Sequence, residues 1–167
     1  MWYVVQVMNG HEHKIAELCK TWLLAENEEV FVPMYERKKK IKGNWELKQA
    51  ILFPGYIFFC TDDIEAVFVQ LKDVKQLTKV LRTGEDFTPL HEAEVTFLQQ
   101  FGRKEHIVEM SVGYIEGDRV VITSGPMMNW DGKVKKIDRH KKIAVLGVEF
   151  FGRMTDVTVG LEIVEKK

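Results

Sequence analysis

The amino-acid sequence predicts an α+β domain followed by a small all-β domain. In residues 1–105, strand-like and helix-like segments alternate in a mixed order, which is typical of helices packed on one antiparallel sheet. In residues 114–167, short strand-like runs follow one another with turns between them, and a closed barrel removes the exposed edges of such strands. Residues 106–113 have weak periodicity and are predicted to be a flexible linker.

The first domain is predicted to begin with a buried strand, Trp2–Met8, which is rich in aromatic and β-branched residues and ends at an Asn-Gly turn signal. A helix follows, because apolar residues recur three and four positions apart from Ile15 to Leu23. Gly43-Asn44 is a hairpin turn signal. The remaining predicted elements of this domain are strands Val30–Ile41 and Trp45–Leu52, a strand Tyr56–Phe59 after the Pro54-Gly55 break, a helix Ile64–Leu71, a strand Thr78–Leu81 and a helix Glu92–Phe101.

The second domain is predicted to consist of strands alone. Its apolar runs are rich in Val, Ile and Phe and are punctuated by glycines, which suits strands better than helices. The predicted strands are Val120–Ile122, Lys133–Ile137, Ile143–Phe151 and Val157–Val164.

The composition is that of an ordinary folded protein. The chain has 167 residues, of which 46% are hydrophobic and 29% charged. None of its apolar runs approaches the roughly 20 residues that span a bilayer, and the N-terminus has no basic leader. The two cysteines are too few for a disulfide framework or a zinc site. We expect a cytoplasmic, metal-free monomer without membrane attachment.

No residue pattern indicates catalysis. His11 and His13 are two positions apart, so they point away from each other on a helix, and a helix N-terminus explains this segment better than a metal site. Cys19 lies on the apolar side of the predicted helix and Cys60 ends a buried strand, so both are predicted to pack in the core. The sequence shows neither a phosphate-binding loop nor a nucleophile elbow. We therefore expect no enzyme activity and no cofactor.

Positive charge is concentrated in the second domain. Residues 1–113 contain 14 Lys and Arg against 17 Asp and Glu, whereas residues 114–167 contain 10 against 8. Within residues 133–142 the cations are opposed locally only by Asp138. Such a patch suits an anionic polymer, since each neutralised phosphate releases a counterion. The alternative is a solvated hairpin face.

Two sequence motifs resemble those of a known family. Gly117–Val120 and Ser124–Val134 resemble the KOW motif, a small SH3-like barrel of transcription elongation factors and ribosomal proteins. Trp2–Val7 together with Phe53–Phe58 resembles the N-terminal (NGN) domain of the NusG family of transcription factors. The resemblance covers essentially the whole chain. It implies an NGN-like domain in residues 1–105 and a KOW-containing SH3-like barrel in residues 114–167.

The resemblance also implies that the first domain binds the clamp helices of bacterial RNA polymerase through an apolar depression. Motif matching places four aromatic residues on that surface, namely Trp2, Phe53, Tyr56 and Phe58. Aromatic anchors dominate interfaces in which a helix lies in a groove. Core packing is the alternative for each of the four.

The resemblance implies that the barrel of general family members docks a ribosomal protein or a termination factor through a Phe-Gly-Arg-x-Thr-Pro loop. Phe151–Thr155 match this loop, which makes Phe151 a candidate protein-partner contact, but Asp156 replaces the proline. Met127 also stands where phenylalanine is usual. These departures and the basic barrel point to a specialised antiterminator, similar to RfaH and most of all to the LoaP type, which is recruited by an RNA hairpin in the leader of long operons.

The charge and the resemblance together predict contacts with nucleic acid. Lysines and arginines of the barrel contact phosphates in this interpretation, and Trp130, Arg139 or His140 stacks on an unpaired base. The predicted RNA contacts are Arg119, Trp130, Lys133, Lys135, Lys136, Arg139, His140, Lys141, Lys142 and Arg153. The predicted contacts to upstream or non-template DNA, for which a solubilising strand edge is the alternative, are Arg37, Lys38, Lys39, Lys40 and Lys42.

The expected function is therefore antitermination. The first domain binds RNA polymerase, the barrel binds a nascent RNA hairpin, and together they suppress pausing and termination in long operons. The alternative within the family is a general elongation or termination factor whose barrel binds a ribosomal protein or a termination factor. An RNA-modifying enzyme is a further alternative, for which the sequence offers no cluster of titratable groups.

Overall fold

A computed structural model of the chain describes residues 1–21, 28–72, 77–80, 82–83, 86–130 and 133–165. Their contacts form two compact units. Unit 1 consists of Met1–Pro33 with Phe53–Val95, and unit 2 consists of Met34–Leu52 with Thr96–Lys167. Among the described residues, no helix combines the length and the apolar character that crossing a membrane requires.

The elements are numbered in chain order. They are β1 (Trp2–Val7), α1 (Glu12–Lys20), β2 (Glu29–Phe31), β3 (Met34–Ile41), β4 (Asn44–Ile51), β5 (Tyr56–Cys60), α2 (Ile64–Leu71), β6 (Leu77–Val80), β7 (Arg82–Thr83), β8 (Asp86–Phe87), α3 (Glu92–Gly102), β9 (Ile107–Val108), β10 (Ser111–Glu116), β11 (Arg119–Ser124), β12 (Val134–Asp138), β13 (Ile143–Phe150) and β14 (Arg153–Ile163).

Unit 1 is an antiparallel sheet with helices, which confirms the predicted α+β class. Its strands lie in the order β2-β5-β1-β6, and Val5 of β1 lies opposite Ile57 of β5. Ile57, Phe58 and Phe59 are all fully buried, so both faces of β5 are covered. The two-residue strands β7 and β8, which sequence reasoning did not predict, pair with each other.

The helices of unit 1 confirm one prediction and correct another. α2 has the predicted bounds, and the carboxylate of Asp63 caps it by accepting a hydrogen bond from the backbone N–H of Ala66 at 3.1 Å. α1 buries Ile15 and Cys19 as predicted. Leu18, which was predicted on the apolar stripe, is 47% exposed. The buried stripe of α1 runs through Ile15 and Cys19, which are four residues apart, and is narrower than the predicted stripe. The predicted stripe residues Trp22 and Leu23 lie outside the described residues.

Unit 2 contains a five-stranded sheet in the order β11-β10-β14-β13-β12, curled into a half-barrel, which agrees with the predicted SH3-like class. β13 and β14 form its long central hairpin, with Leu146 opposite Val157. Both side chains are fully buried, as is Phe150 at the end of β13. The turn that follows uses Phe151 and Gly152, both at positive φ.

The predicted linker needs correction, because residues 106–113 contain β9 and the start of β10. β10 pairs in parallel with β14, with Ser111 beside Leu161, and in antiparallel with β11, with Gly113 opposite Ile122. A Cβ at Gly113 would lie 2.6 Å from the carbonyl oxygen of Val121, so the strands approach too closely for any larger residue. Sequence reasoning interpreted this Ser-Val-Gly segment as a linker, because polar and glycine residues are also typical of loops.

The predicted hairpin of β3 and β4 is confirmed, with its turn shifted by one residue. Ile41 lies opposite Asn44, so the two turn residues are Lys42 and Gly43. Both have positive φ, at 51° and 83°, as the tight turns of two-residue hairpins require. Although the predicted first domain included this hairpin, its contacts place it in unit 2, where β3 also pairs in parallel with β9.

Replacing Gly113 by alanine should destabilise the protein, since the new methyl group meets backbone of the paired strand. We expect the Gly113→Ala variant to lose about 1–3 kcal/mol of unfolding free energy in a urea titration. The matched control is Gly102→Ala at the end of α3, where a Cβ meets its nearest neighbour at an ordinary 3.5 Å. Equal stability of the two variants would contradict the close approach of β10 and β11.

Candidate interaction surfaces

A buried carboxylate organises the Pro-Gly loop that carries the predicted aromatic surface. Glu12, at the start of α1, is only 2% exposed and accepts hydrogen bonds from the backbone N–H groups of Gly10, at 2.7 Å, and Gly55, at 3.0 Å. Gly55 has φ 88°, and a Cβ there would lie 2.6 Å from Oδ1 of Asn9. The loop therefore depends on one acidic side chain and on a glycine that no other residue can replace without strain.

The pKa of Glu12 reports the same contacts. Burial by itself raises the pKa of this carboxyl, but the backbone hydrogen bonds, that from Gly55 foremost, outweigh burial and hold the pKa below its ordinary value. The charged form is thus the form that the native loop binds. The predicted helix N-terminus at His11–His13 is confirmed, since α1 begins at Glu12.

The four predicted polymerase contacts separate into two buried and two half-buried residues. Phe53 is 4% exposed and Phe58 is fully buried, with their ring centroids 5.6 Å apart. A ring enclosed in this way offers no surface to a partner, so the prediction that these two contact polymerase directly is corrected to a core role. Trp2, packed edge-on against Phe31 at 5.4 Å, and Tyr56 are half-buried.

In unit 2, a cleft of about 460 Å³ lies where the two outermost strands of the curled sheet approach each other. Its apolar lining comes from Val120 of β11 and from Val134 and Ile137 of β12. Arg119, Lys135 and Lys136, all predicted RNA contacts, line the same cleft together with Asp118. The structure thus places three predicted cations around one cleft whose lining is both polar and apolar.

Lys135 is paired across the sheet. Its Nζ lies 2.6 Å from Oδ1 of Asp156, and both side chains are more than half exposed. The lysine stem passes over Gly147, where a Cβ would lie 2.9 Å from it. Asp156, the residue that replaces the usual proline, therefore has a structural role in this chain. An exposed pair of this kind contributes at most about 1 kcal/mol, so a phosphate can displace the carboxylate.

The turn after β12 presents exposed cations. Oδ1 of Asp138 accepts a hydrogen bond from the backbone N–H of Lys141 at 2.9 Å, and this bond lowers the pKa of Asp138. Arg139, His140 and Lys141 are exposed around the turn. The single local acid is therefore used to shape the turn rather than to form an ion pair with a neighbouring lysine.

A second carboxylate joins this turn to the hairpin of β3 and β4. Glu162 on β14 lies 2.6 Å from Nζ of Lys38 and 3.4 Å from Nζ of Lys142. The hydrogen bond from Lys38 is the largest influence on the pKa of Glu162, which is held below its ordinary value although burial opposes the shift. The structure thus brings together the predicted RNA cluster and the predicted DNA cluster, which are about a hundred residues apart in sequence.

The predicted DNA cluster is divided between the two faces of its strand. Arg37 and Lys39 alternate with Lys38 and Lys40 along β3, so neighbouring residues point to opposite sides. Lys39, Lys40 and the turn residue Lys42 are exposed, whereas Arg37 donates from Nη2 to the carbonyl oxygen of Lys141 at 3.4 Å. One ligand cannot contact all five residues of this cluster.

Trp130 has a packing role that the sequence did not reveal. Its ring lies edge-on to Phe101, at 4.8 Å between centroids, and to Phe97, at 5.5 Å, both on α3. Trp130 is half-buried, and its stacking on an unpaired base stays a prediction. Arg153 is exposed after the β13–β14 turn, and Phe151, packed against Phe150 at 5.5 Å, is half-buried.

The predicted inert cysteines are confirmed for Cys19. Its side chain is fully buried, and burial raises the pKa of its thiol to about 12, so no thiolate forms at neutral pH. Cys60 is half-buried, and desolvation raises its pKa as well. Among the described residues, no group of acidic, histidine or cysteine side chains has the arrangement of a metal site.

Known proteins match this chain along most of its length. The family model described as transcription termination factor nusG matches residues 1–99. The transcription termination/antitermination protein NusG of Staphylococcus carnosus is 31% identical over 175 residues, covering 99% of this chain and 94% of that protein. NusG of Staphylococcus aureus strain Mu50 matches with the same identity and coverage. The chain belongs to the NusG family of transcription factors.

The fold agrees with this membership. A solved structure of NusG from Thermotoga maritima covers 95% of this chain and 92% of its own, with a TM-score of 0.53 at 21% identity. As a NusG-type elongation and termination factor, the protein belongs to a family of transcription regulators rather than enzymes. The residue that sequence reasoning missed is chiefly Glu162, an ordinary strand residue whose importance comes from its contacts with Lys38 and Lys142.

Glu12→Gln should lower stability in a pH-dependent way. Because the native pKa of Glu12 is lowered, its contribution is fully present above the ordinary pKa of 4.5 and is lost as the pH falls through the native value. We expect the variant to lose about 1–3 kcal/mol of unfolding free energy at neutral pH, and the difference from the wild type to shrink near pH 3. Urea titrations of the variant and the wild type at both pH values measure this difference in unfolding free energy.

The control for Glu12→Gln is Glu17→Gln on the same helix, where the carboxylate forms an exposed pair with Lys20 at 2.8 Å. We expect this variant to change stability by less than about 1 kcal/mol at either pH. If Glu12→Gln behaves like Glu17→Gln, the buried carboxylate does not hold the loop.

Proposed function

We propose that this NusG-family protein is an antiterminator. Unit 1 binds RNA polymerase, and the basic half-barrel of unit 2 binds a hairpin in the nascent RNA. The observation that carries this proposal is the group of predicted RNA contacts around one cleft, with an exposed basic turn following β12. Cations placed around a cleft that also has apolar side chains suit a structured RNA, which offers phosphates and an unpaired base at the same site.

The charges available for RNA support the proposal. Lys133, Lys136 and Arg139 are exposed and form no ion pair with another residue that the structure describes. Lys135 and Lys142 are paired with carboxylates, so phosphates would replace Asp156 and Glu162 there at some cost. The cations that contribute most to RNA affinity are therefore the ones at the cleft and the turn that do not first have to leave a carboxylate.

The polymerase contact rests on the half-buried aromatic residues. Trp2 and Tyr56 lie on neighbouring strands, with Gln6 opposite Tyr56 and Trp2 opposite Cys60. Buried Phe58 lies between them on the same face of the sheet, opposite Val4, and Glu12 fixes the loop that precedes Tyr56. Binding to the clamp helices of polymerase favours a closed clamp over the paused state, which needs only differential binding and no catalysis.

Both contacts lie on one chain, so each strengthens the other. Once the RNA hairpin is bound, polymerase binding becomes intramolecular, and the effective concentration of unit 1 near the transcribing enzyme rises. This coupling confines the effect to transcripts that carry the hairpin. We extend the proposal to Lys39 and Lys42, which are exposed and suit contact with upstream or non-template DNA.

Neutralising the cleft and the turn should weaken RNA binding in a salt-dependent way. We expect the full chain to bind a leader RNA hairpin with an affinity that falls steeply with salt, and the Lys136→Gln/Arg139→Gln/Lys141→Gln variant to reduce the slope of log K against log salt by about 2–3. Fluorescence polarisation of labelled hairpins at several salt concentrations measures this slope.

The matched control removes the same number of charges elsewhere. Lys14, Arg103 and Lys104 are exposed and lie away from the cleft and the turn in sequence. Their replacement by glutamine should leave the slope unchanged. Equal slopes for both triple variants, or equal weak binding of every RNA tested, would remove the basis of the proposal.

Tyr56→Ala should weaken antitermination without unfolding the protein. In single-round transcription on a template that encodes the hairpin before a terminator, the wild-type chain should raise read-through. Loss of an interface aromatic costs about 2 kcal/mol, so the variant should need about thirtyfold more protein for the same read-through. Tyr56→Phe, which keeps the ring, is the control, and urea titration of each variant checks the fold.

The second candidate is a general elongation or termination factor whose barrel binds a protein. Phe151 is half-buried in a turn with positive φ, next to exposed Arg153, and this pair suits a docking loop. The same transcription experiment separates the candidates. Equal read-through with and without the hairpin, or increased termination, supports the general factor.

A further inference from the structure

Trp45 lies on β4 near the tip of the β3–β4 hairpin, opposite Lys40. It is 42% exposed, which is unusual for the largest apolar side chain and shows that its ring does not serve the core. Two ammonium groups lie over the ring: Nζ of Lys142 is 4.9 Å from its centroid and Nζ of Lys40 is 6.0 Å away. Lysines from two segments that are far apart in sequence thus contact the same indole ring.

The charges around this ring are predominantly positive. Lys38, Lys40 and Lys142 lie on or beside the Trp45 side of the hairpin, and the carboxylate among them is Glu162. Glu162 holds Lys38 and Lys142 in place and offsets one of the three charges. The nearby pair of Glu46 and Lys48 lies on the opposite face, since their positions alternate with that of Trp45 along the strand.

We propose that Trp45 is a stacking platform for an unpaired base of single-stranded RNA, with Lys40 and Lys142 contacting the flanking phosphates. An exposed aromatic ring with cations at its face supplies both groups with which proteins bind single strands. A base stacks on the ring as the flexible lysine side chains move from it to the flanking phosphates, each of which carries a negative charge. This inference rests on the proposed RNA-binding function and adds a second site to it.

The position of the platform favours RNA as the occupant. Lys142 closes the basic turn proposed to hold the hairpin, and its Nζ lies over the Trp45 ring, 4.9 Å from the centroid. The two sites are therefore continuous within unit 2, so that a strand leaving a bound hairpin reaches Trp45 next. The hairpin and its single-stranded flank would then occupy one surface.

The test compares three RNAs on the same chain: a leader hairpin with blunt ends, the same hairpin with a single-stranded extension of about six nucleotides on the 3′ side, and the same hairpin with that extension on the 5′ side. We expect one of the extensions to improve the affinity about tenfold. In Trp45→Ala that gain should disappear, whereas binding of the blunt hairpin should stay as in the wild type. Fluorescence polarisation measures both affinities.

Two further variants keep the result unambiguous. Trp45→Phe retains a stacking ring, so it should keep most of the affinity gain. Single-stranded RNA should quench the fluorescence of Trp45 in the wild type, and that contribution to the quenching should be absent from Trp45→Phe. Leu47→Ala removes an exposed apolar residue from the same face of β4, and it should leave the affinity for each of the RNAs unchanged. Urea titration checks that each variant is folded.

The outcomes separate this inference from the proposed function. If the blunt hairpin binds but neither extension adds affinity, or if the gain survives in Trp45→Ala, the platform is wrong and the proposed function stands. If the blunt hairpin does not bind, the proposed function is wrong. The single strand alone then tests the platform: weaker binding to Trp45→Ala than to the wild type supports it, and equal binding overturns it. An equal gain from a DNA extension overturns the assignment to RNA.

Discussion

The carboxylate of Glu162, shared between Lys38 and Lys142, is the interaction on which the proposed nucleic-acid surface depends. It connects β14 to the β3–β4 hairpin on one side and to the turn before β13 on the other. All three side chains are about a third exposed or less, so water screens the attraction less than at an open surface. The lowered pKa of Glu162 reflects the two lysines. This one acid allows two strongly basic segments to lie side by side.

The remaining carboxylates of unit 2 determine which cations stay available. Asp156 pairs with Lys135, and Asp138 accepts from the backbone of Lys141. A basic run that contains a single local acid is therefore partly neutralised by acids from β14. What remains is a smaller set of exposed cations at the cleft and the turn, which is a more specific surface than a uniformly charged hairpin would be.

In unit 1 the corresponding element is Glu12. Its two backbone hydrogen bonds connect the start of α1 to the Pro-Gly loop, and through that loop to Tyr56 on β5. Of the four aromatic residues, Phe53 and Phe58 are therefore in the core and Trp2 and Tyr56 are partly exposed. A rigid arrangement of this kind reduces the entropy lost on binding a partner helix.

The sequence by itself determined the fold class, the bounds of α2, the β3–β4 hairpin and the core role of Cys19, because apolar periodicity, caps and turn residues act over a few neighbouring positions. The tertiary structure decided which aromatic residues are enclosed, that the predicted linker at Ser111 forms strand pairs, and that Lys135 and Lys142 are paired with acids more than ten residues away in sequence. Strand register and sheet curvature bring such residues together, and neither is encoded in local periodicity. Trp45 shows the same limit, since only its cationic neighbours distinguish it from any other strand tryptophan.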